Sequence, residues 1–125
     1  MSTGRIHLVV GDTRPVLYIQ LRQPDTVLDI SAATVFLKFK PYKNDVVLFQ
    51  LTGELLPGTL QADLIRADLS QYPVPGSGGR VRFQFIEGNL NIAPGLYLGE
   101  IEVFYAQDNT FTPFTRLEFL MREEF

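Results

Sequence analysis

The sequence predicts an all-β chain folded as an antiparallel sandwich of seven to eight strands. Three observations carry this. Apolar and polar residues alternate with a period of two along segment after segment, so each offers one face to a core and one to water. Clusters of Gly, Pro, Asn and Asp punctuate these segments at spacings of roughly 8–15 residues, the rhythm of a sandwich with Greek-key connections. No helical stripe runs beyond two turns. At 125 residues the chain has the size of one domain, so residues 1–125 are read as a single sandwich.

Taken in order, Arg5–Val10 is a short apolar run that reads as a first edge strand, closed by Gly11-Asp12-Thr13. Pro15 suits a strand start, where its missing N–H does least harm. In Val16–Arg22 one face carries Leu17, Ile19 and Leu21, the other Tyr18, Gln20 and Arg22. After a turn at 23–26, Leu28-Asp29-Ile30-Ser31 leads into Ala33–Lys40, with Val35, Leu37 and Phe39 inward and Phe36, Lys38 and Lys40 outward. Asp45–Thr52 is a fourth strand whose run Val46-Val47-Leu48-Phe49 alternates poorly, which predicts that both its faces are covered. Thr59–Asp68 fits either a helical stripe or a strand; the all-strand surroundings favour a strand and a following turn. Residues 71–79, rich in Pro and Gly, read as a flexible loop. Arg80–Ile86 turns Val81, Phe83 and Phe85 inward. Residues 87–94 connect to a long hairpin. Its first strand carries Tyr97, Gly99, Ile101, Val103 and Tyr105 on an apolar face and Glu100 and Glu102 on a wet one. The return strand carries Leu117, Phe119 and Met121 against Arg116, Glu118 and Arg122, and Gln107-Asp108-Asn109 makes the turn.

Composition narrows the chemistry. There is no cysteine and one histidine, His7, which rules out disulfides, thiolate sites and multi-histidine metal centres. The net charge of -3 is well mixed, with no basic patch for nucleic acid. The N-terminal apolar run is short for a signal peptide, and no stretch approaches the roughly 20 residues of a membrane span; the expectation is a soluble, unprocessed protein. Glu100 and Glu102 share a strand face at a separation that suits acid–base work, but no nucleophile or base accompanies them, so they read as a solvated face. Asp108-Asn109 reads as turn chemistry rather than a calcium site. Gly76-Ser77-Gly78-Gly79 lacks the Lys-Ser/Thr and the helix of a phosphate cradle. No catalytic residue, cofactor or metal is expected.

The aromatic content is ten Phe, five Tyr and no Trp. Phe has no polar handle and belongs in a core or a dry interface. Phe36, Phe49, Phe104, Phe111, Phe114 and Phe125 fall on the solvent parity or in loops, so each is either covered by the second sheet or part of a protein–protein contact. Phe36, Phe104, Phe111, Phe114 and Phe125 are the candidate interface residues. Tyr18, Phe36, Tyr42 and Tyr72 are the side chains that a carbohydrate platform would use.

Gly11-Asp12-Thr13, Pro15, the strand 16–22, the Pro24-Asp25 turn and Leu28-Asp29-Ile30-Ser31-Ala32-Ala33-Thr34-Val35 come in an order that resembles the start of a known domain family. That family is the immunoglobulin-like domain of tailed-bacteriophage baseplate upper proteins. The resemblance resumes at Ala93-Pro94-Gly95-Leu96-Tyr97-Leu98-Gly99-Glu100, similar to the family's Pro-Gly-x-Tyr-x-x-Glu, and closes with Thr110-Phe111-Thr112-Pro113, like its Thr-x-Pro before the last strand. It departs at Asp25-Thr26, where the family has Asp-Gly, and at Phe83 and Phe85, where Trp is frequent; residues 42–79 match little. The resemblance implies an immunoglobulin-like sandwich. It further implies a virion structural protein of a phage tail, baseplate, fibre adaptor or neck. Such a protein would contact other virion proteins and its own copies in a symmetric ring or trimer, with no nucleic acid or membrane partner. The alternatives are a capsid decoration protein and a carbohydrate-binding or host-adhesion module of the same fold.

Overall fold

The computed structural model describes residues 5–12, 15–23, 26–60, 67–68, 72–107 and 110–123. In chain order the strands are β1 (Ile6–Val9), β2 (Val16–Gln20), β3 (Arg22–Gln23), β4 (Thr26–Val27), β5 (Ala33–Pro41), β6 (Phe49–Thr52), β7 (Glu54–Leu55), β8 (Thr59–Leu60), β9 (Ala67–Asp68), β10 (Arg80–Gln84), β11 (Gly95–Tyr105) and β12 (Thr110–Arg122). The described residues contain no helix. A five-stranded sheet in the order β1-β12-β11-β5-β6 faces a three-stranded sheet in the order β2-β10-β7. These eight strands form an immunoglobulin-like β-sandwich, and β3-β4 and β8-β9 are two-stranded ribbons beside it. The 59–68 segment is therefore strand at both ends of the part described, with β8 and β9 paired antiparallel.

The inward parity read from sequence is the core. Val35, Leu37, Phe39, Val81, Phe83, Ile101 and Phe119 have no exposed surface. Phe39 lies at the centre of an aromatic cluster: its ring centroid is 4.7 Å from Phe49, 5.0 Å from Phe119, 5.3 Å from Tyr97 and 6.1 Å from Phe85. Phe49 is thus partly buried and packed against the core. Leu90, in the segment read only as a connection, is also fully buried.

The pairing is antiparallel except at one edge, where β1 runs parallel to the end of β12, with Ile6 opposite Phe119 and Val9 opposite Arg122. The β11–β12 ladder is the longest and shifts register between Ile101 and Glu102; Phe114 is the residue left over. A bulge there accommodates Pro113, which cannot donate to the ladder.

Three expectations are corrected. Val46, Val47 and Leu48 are not covered: they are 63%, 46% and 41% exposed, and pairing with β5 begins only at Phe49. The apolar run there lies before the strand, along the rim of the sheet, so its poor alternation came from a strand that starts late. Residues 72–79 form a loop, as expected, but a pinned one. Gly76 N–H donates to Leu56 O at 3.0 Å and Gly76 O accepts from Ile30 N at 2.9 Å; Gly79 O accepts from Leu21 N at 2.8 Å. Gly76, Gly78 and Gly79 are buried. A Cβ at Gly78 would stand 2.2 Å from Gly58 O, so only glycine lets the chain pass. Third, Glu102 is not on a wet face but is 8% exposed.

Candidate functional site

The outer face of the five-stranded sheet brings together Phe36, Phe104, Glu100 and Glu102 of the residues the sequence marked. Cross-strand register sets side chains into rows. Lys38 stands opposite Glu100, which stands opposite Arg116; Phe36 stands opposite Glu102; Phe104 stands between Thr34 and Phe111. The charged side chains close on one another. Lys38 Nζ lies 3.2 Å from Glu102 Oε1. Lys40 Nζ lies 3.3 Å from both Asp45 Oδ1 and Glu100 Oε2. Arg116 Nε is 3.8 Å from Glu100 Oε2, and Arg5 Nε is 3.2 Å from Glu118 Oε1. Asp45, and then Glu100, hold the Lys40 ammonium above its ordinary pKa. The face is therefore internally neutralised rather than acidic.

Apolar side chains flank this ladder. Phe36 and Phe104 are half-buried toward one end; Leu96, Leu98 and Leu120 are half-buried toward the other. Phe111 and Phe114 lie in β12, but their side chains fall outside the described residues, as does all of Phe125. Of the five candidate interface residues, the structure thus places Phe36 and Phe104 on one sheet face and sets the Phe111 backbone in register beside Phe104. Glu102 is crowded by this neighbourhood, which explains its burial.

The second sheet presents a shorter row, Tyr18–Arg82–Glu54, in direct register. Arg82 donates to the Glu54 carboxylate, and Glu54 foremost, then Tyr18, raise its pKa. Tyr18 is 62% exposed. The tyrosines considered for a carbohydrate platform do not share one face: Tyr18 is on β2, Tyr42 follows β5, and Tyr72 is in the 72–79 loop. His7 is exposed on edge strand β1.

Two features escaped the sequence reading. A recess of ≈ 350 Å³ opens beyond the end of β5, lined by Pro41, Tyr42, Lys43, Pro94, Leu96 and Tyr97 among others. At the start of β5, the exposed run Tyr72-Pro73-Val74-Pro75 stands on the pinned loop. The Pro-flanked apolar run was visible in the sequence; what hid its fixed placement was the reading of such a loop as loose. The recess joins segments more than fifty residues apart, and no local signal could reveal it.

No protein-family profile and no curated protein matches the chain. Among solved structures, CopC from Methylosinus trichosporium OB3b is similar at 11% identity, covering 98% of this chain and 88% of that one, with a TM-score of 0.46. The NK cell receptor NKp44, a triggering partner in natural cytotoxicity, is similar at 12% identity, covering 98% of this chain and all of that one (100%), with a TM-score of 0.43. Likenesses this distant do not bear on what the chain does.

Proposed function

We propose that this chain is a structural assembly protein that works through protein–protein contacts, as a component of a tailed-bacteriophage particle. The observation that carries the assembly reading is the outer face of the large sheet. Its Arg5, Lys38, Lys40 and Arg116 are already paired within the chain with Glu118, Glu102 and Glu100, so covering these side chains with a partner strands none of them as a bare ion, the term that makes charged interfaces costly. Phe36 and Phe104 supply the large rings that anchor such contacts. The placement in a phage virion, in the tail, baseplate, fibre adaptor or neck, rests on the ordered motifs from Gly11 to Pro113.

The test is solution mass. Light scattering of the purified protein over a wide concentration range should give a discrete symmetric oligomer. Phe36→Ser with Phe104→Ser should lower that mass while the thermal midpoint falls by only a few degrees. A monomer at every concentration, together with saccharide binding lost in Tyr18→Ala, would favour the host-adhesion reading instead.

A further inference from the structure

The two features missed by the sequence lie at opposite poles of the sandwich. The loop 72–79 is bonded to Ile30 and packs on Ser31, just ahead of the first residue of β5. The recess begins at Pro41, the last residue of β5. The nine residues of β5 separate them by about 30 Å at the usual strand rise. One pole presents an apolar projection and the other an apolar, aromatic hollow.

We infer that the Tyr72–Pro75 run of one copy docks in the Pro41–Tyr42–Leu96 recess of the next, a head-to-tail contact between copies of this chain. The inference rests on the assembly reading above and names the partner as a second copy. Three points on the molecule argue for it.

The projection is pre-shaped. Val74 O accepts from Ser77 N at 2.9 Å and from Ser77 Oγ at 2.7 Å, and Tyr72 O accepts from Gly58 N at 2.7 Å. Tyr72 holds a φ of 55° without being glycine, a conformation that only its surroundings sustain. Two prolines stiffen the rest. A segment already fixed loses little entropy on docking. The recess, with Tyr42 47% exposed beside Pro41 and Pro94, is a surface on which proline rings pack.

The charges match. Lys43 is exposed on the recess rim. Asp29 is exposed beside the projection, its carboxylate fixed by Ser31 N at 2.9 Å and Ser31 Oγ at 2.7 Å. Copies stacked pole to pole bring these opposite charges to the same junction.

The size argues for a repeating contact rather than a free dimer. A hollow of ≈ 350 Å³ is at the small end of cavities that take a ligand, and the area it offers falls well below the roughly 800 Å² per partner of a stable interface. Such a contact is populated when copies are already gathered by another face, where effective concentration is high. Because the surfaces differ, the contact is heterologous and generates rings or filaments.

The chain has no cysteine, so engineered thiols report cleanly. Val74→Cys and Lys43→Cys, both at exposed positions, are mixed at high concentration and mildly oxidised, one of them carrying a mass tag. The expected product is the mixed dimer of Val74→Cys with Lys43→Cys; the double variant gives a ladder of higher species. Adding Tyr42→Ala to the Lys43→Cys protein should cut the mixed product several-fold. A yield no greater than that of Val74→Cys with Thr52→Cys, at the open edge of β6, overturns the inference. So does Val74→Cys pairing with itself more readily than with Lys43→Cys. Repeating the experiment in the Phe36→Ser/Phe104→Ser background separates the two readings. A ladder there with no parent oligomer to lose sinks the outer-face contact alone; a parent oligomer without a ladder sinks the polar contact alone.

Discussion

Gly53 is the single residue between two sheets. Thr52, the last residue of β6, pairs with Phe36 in the large sheet, and Glu54, the first of β7, pairs with Arg82 in the small one. The chain passes from one sheet to the other within one residue. An added Cβ would stand 2.3 Å from Val81 Cγ2 and 3.0 Å from Phe83 Cε1, and both side chains are fully buried. The backbone at Gly53 is not in the left-handed region, so Gly53→Ala gains about 0.5–1 kcal/mol by restricting the unfolded chain. Against this stands an overpacking cost of about 1–3 kcal/mol, because neither Val81 nor Phe83 has room to retreat. The steric effect wins: Gly53→Ala should destabilise by about 1–2 kcal/mol. Val81→Ala removes the clashing methyl and alone should cost about 2 kcal/mol through the cavity it leaves. Together the new methyl occupies that cavity, so the double variant should be more stable than the sum by at least about 1 kcal/mol, the coupling of residues in contact. Urea titrations followed by far-UV circular dichroism suit a chain without Trp. A stabilised Gly53→Ala, or strict additivity in the double, would refute the corner as described.

Phe39→Ala should cost toward the upper end of the ~3–5 kcal/mol typical of buried Phe, since four rings surround it; a loss under ~2 kcal/mol in the same titration would mean the cluster collapses into the space. Lys38→Met leaves the Glu102 carboxylate buried without its cation, at about 1–2 kcal/mol once the partial exposure of Lys38 is allowed for, and Lys38→Met with Glu102→Leu should recover most of it; a double variant worse than the single would contradict this. Burial raises the pKa of Tyr97 and Tyr105 above 10.0, and Asp45 and Glu100 raise that of Lys40 above 10.5. Groups with raised folded-state pKa values stabilise fully below their unfolded values and lose that contribution as pH climbs through the folded ones. The thermal midpoint should therefore fall above about pH 10, and less steeply in Tyr97→Phe; an unchanged slope in that variant would show Tyr97 is not a source.

Sequence periodicity located the sandwich because its cause is local. Along β5, β10 and β11 the period of two is imposed by each strand's own pleat, and Val35, Phe83 and Ile101 could be assigned inward without knowing their neighbours. What the sequence concealed depends on distant partners. Glu102 reads as wet because it is a carboxylate; its burial comes from Lys38 and Phe36 across the strand. The loop at 72–79 reads as loose because it is rich in Gly and Pro, while its anchors, Leu21, Ile30 and Leu56, come from elsewhere in the chain. Phe36 and Phe104 were legible as a solvent-parity pair. The recess at Tyr42 was not, because Pro94 and Leu96 meet it only through the β5–β11 ladder.

The parallel pairing of β1 with β12 has a consequence for how the protein comes into being. Ile6 finds its partner at Phe119 and Val9 at Arg122, so one rim of the large sheet cannot close until residues near 122 have left the ribosome. At roughly 5–20 residues per second of synthesis, residues 6–9 wait several seconds as an unpaired apolar strand. The large sheet is therefore completed only once residues near 122 have emerged, with the slow search that contacts of such sequence separation impose.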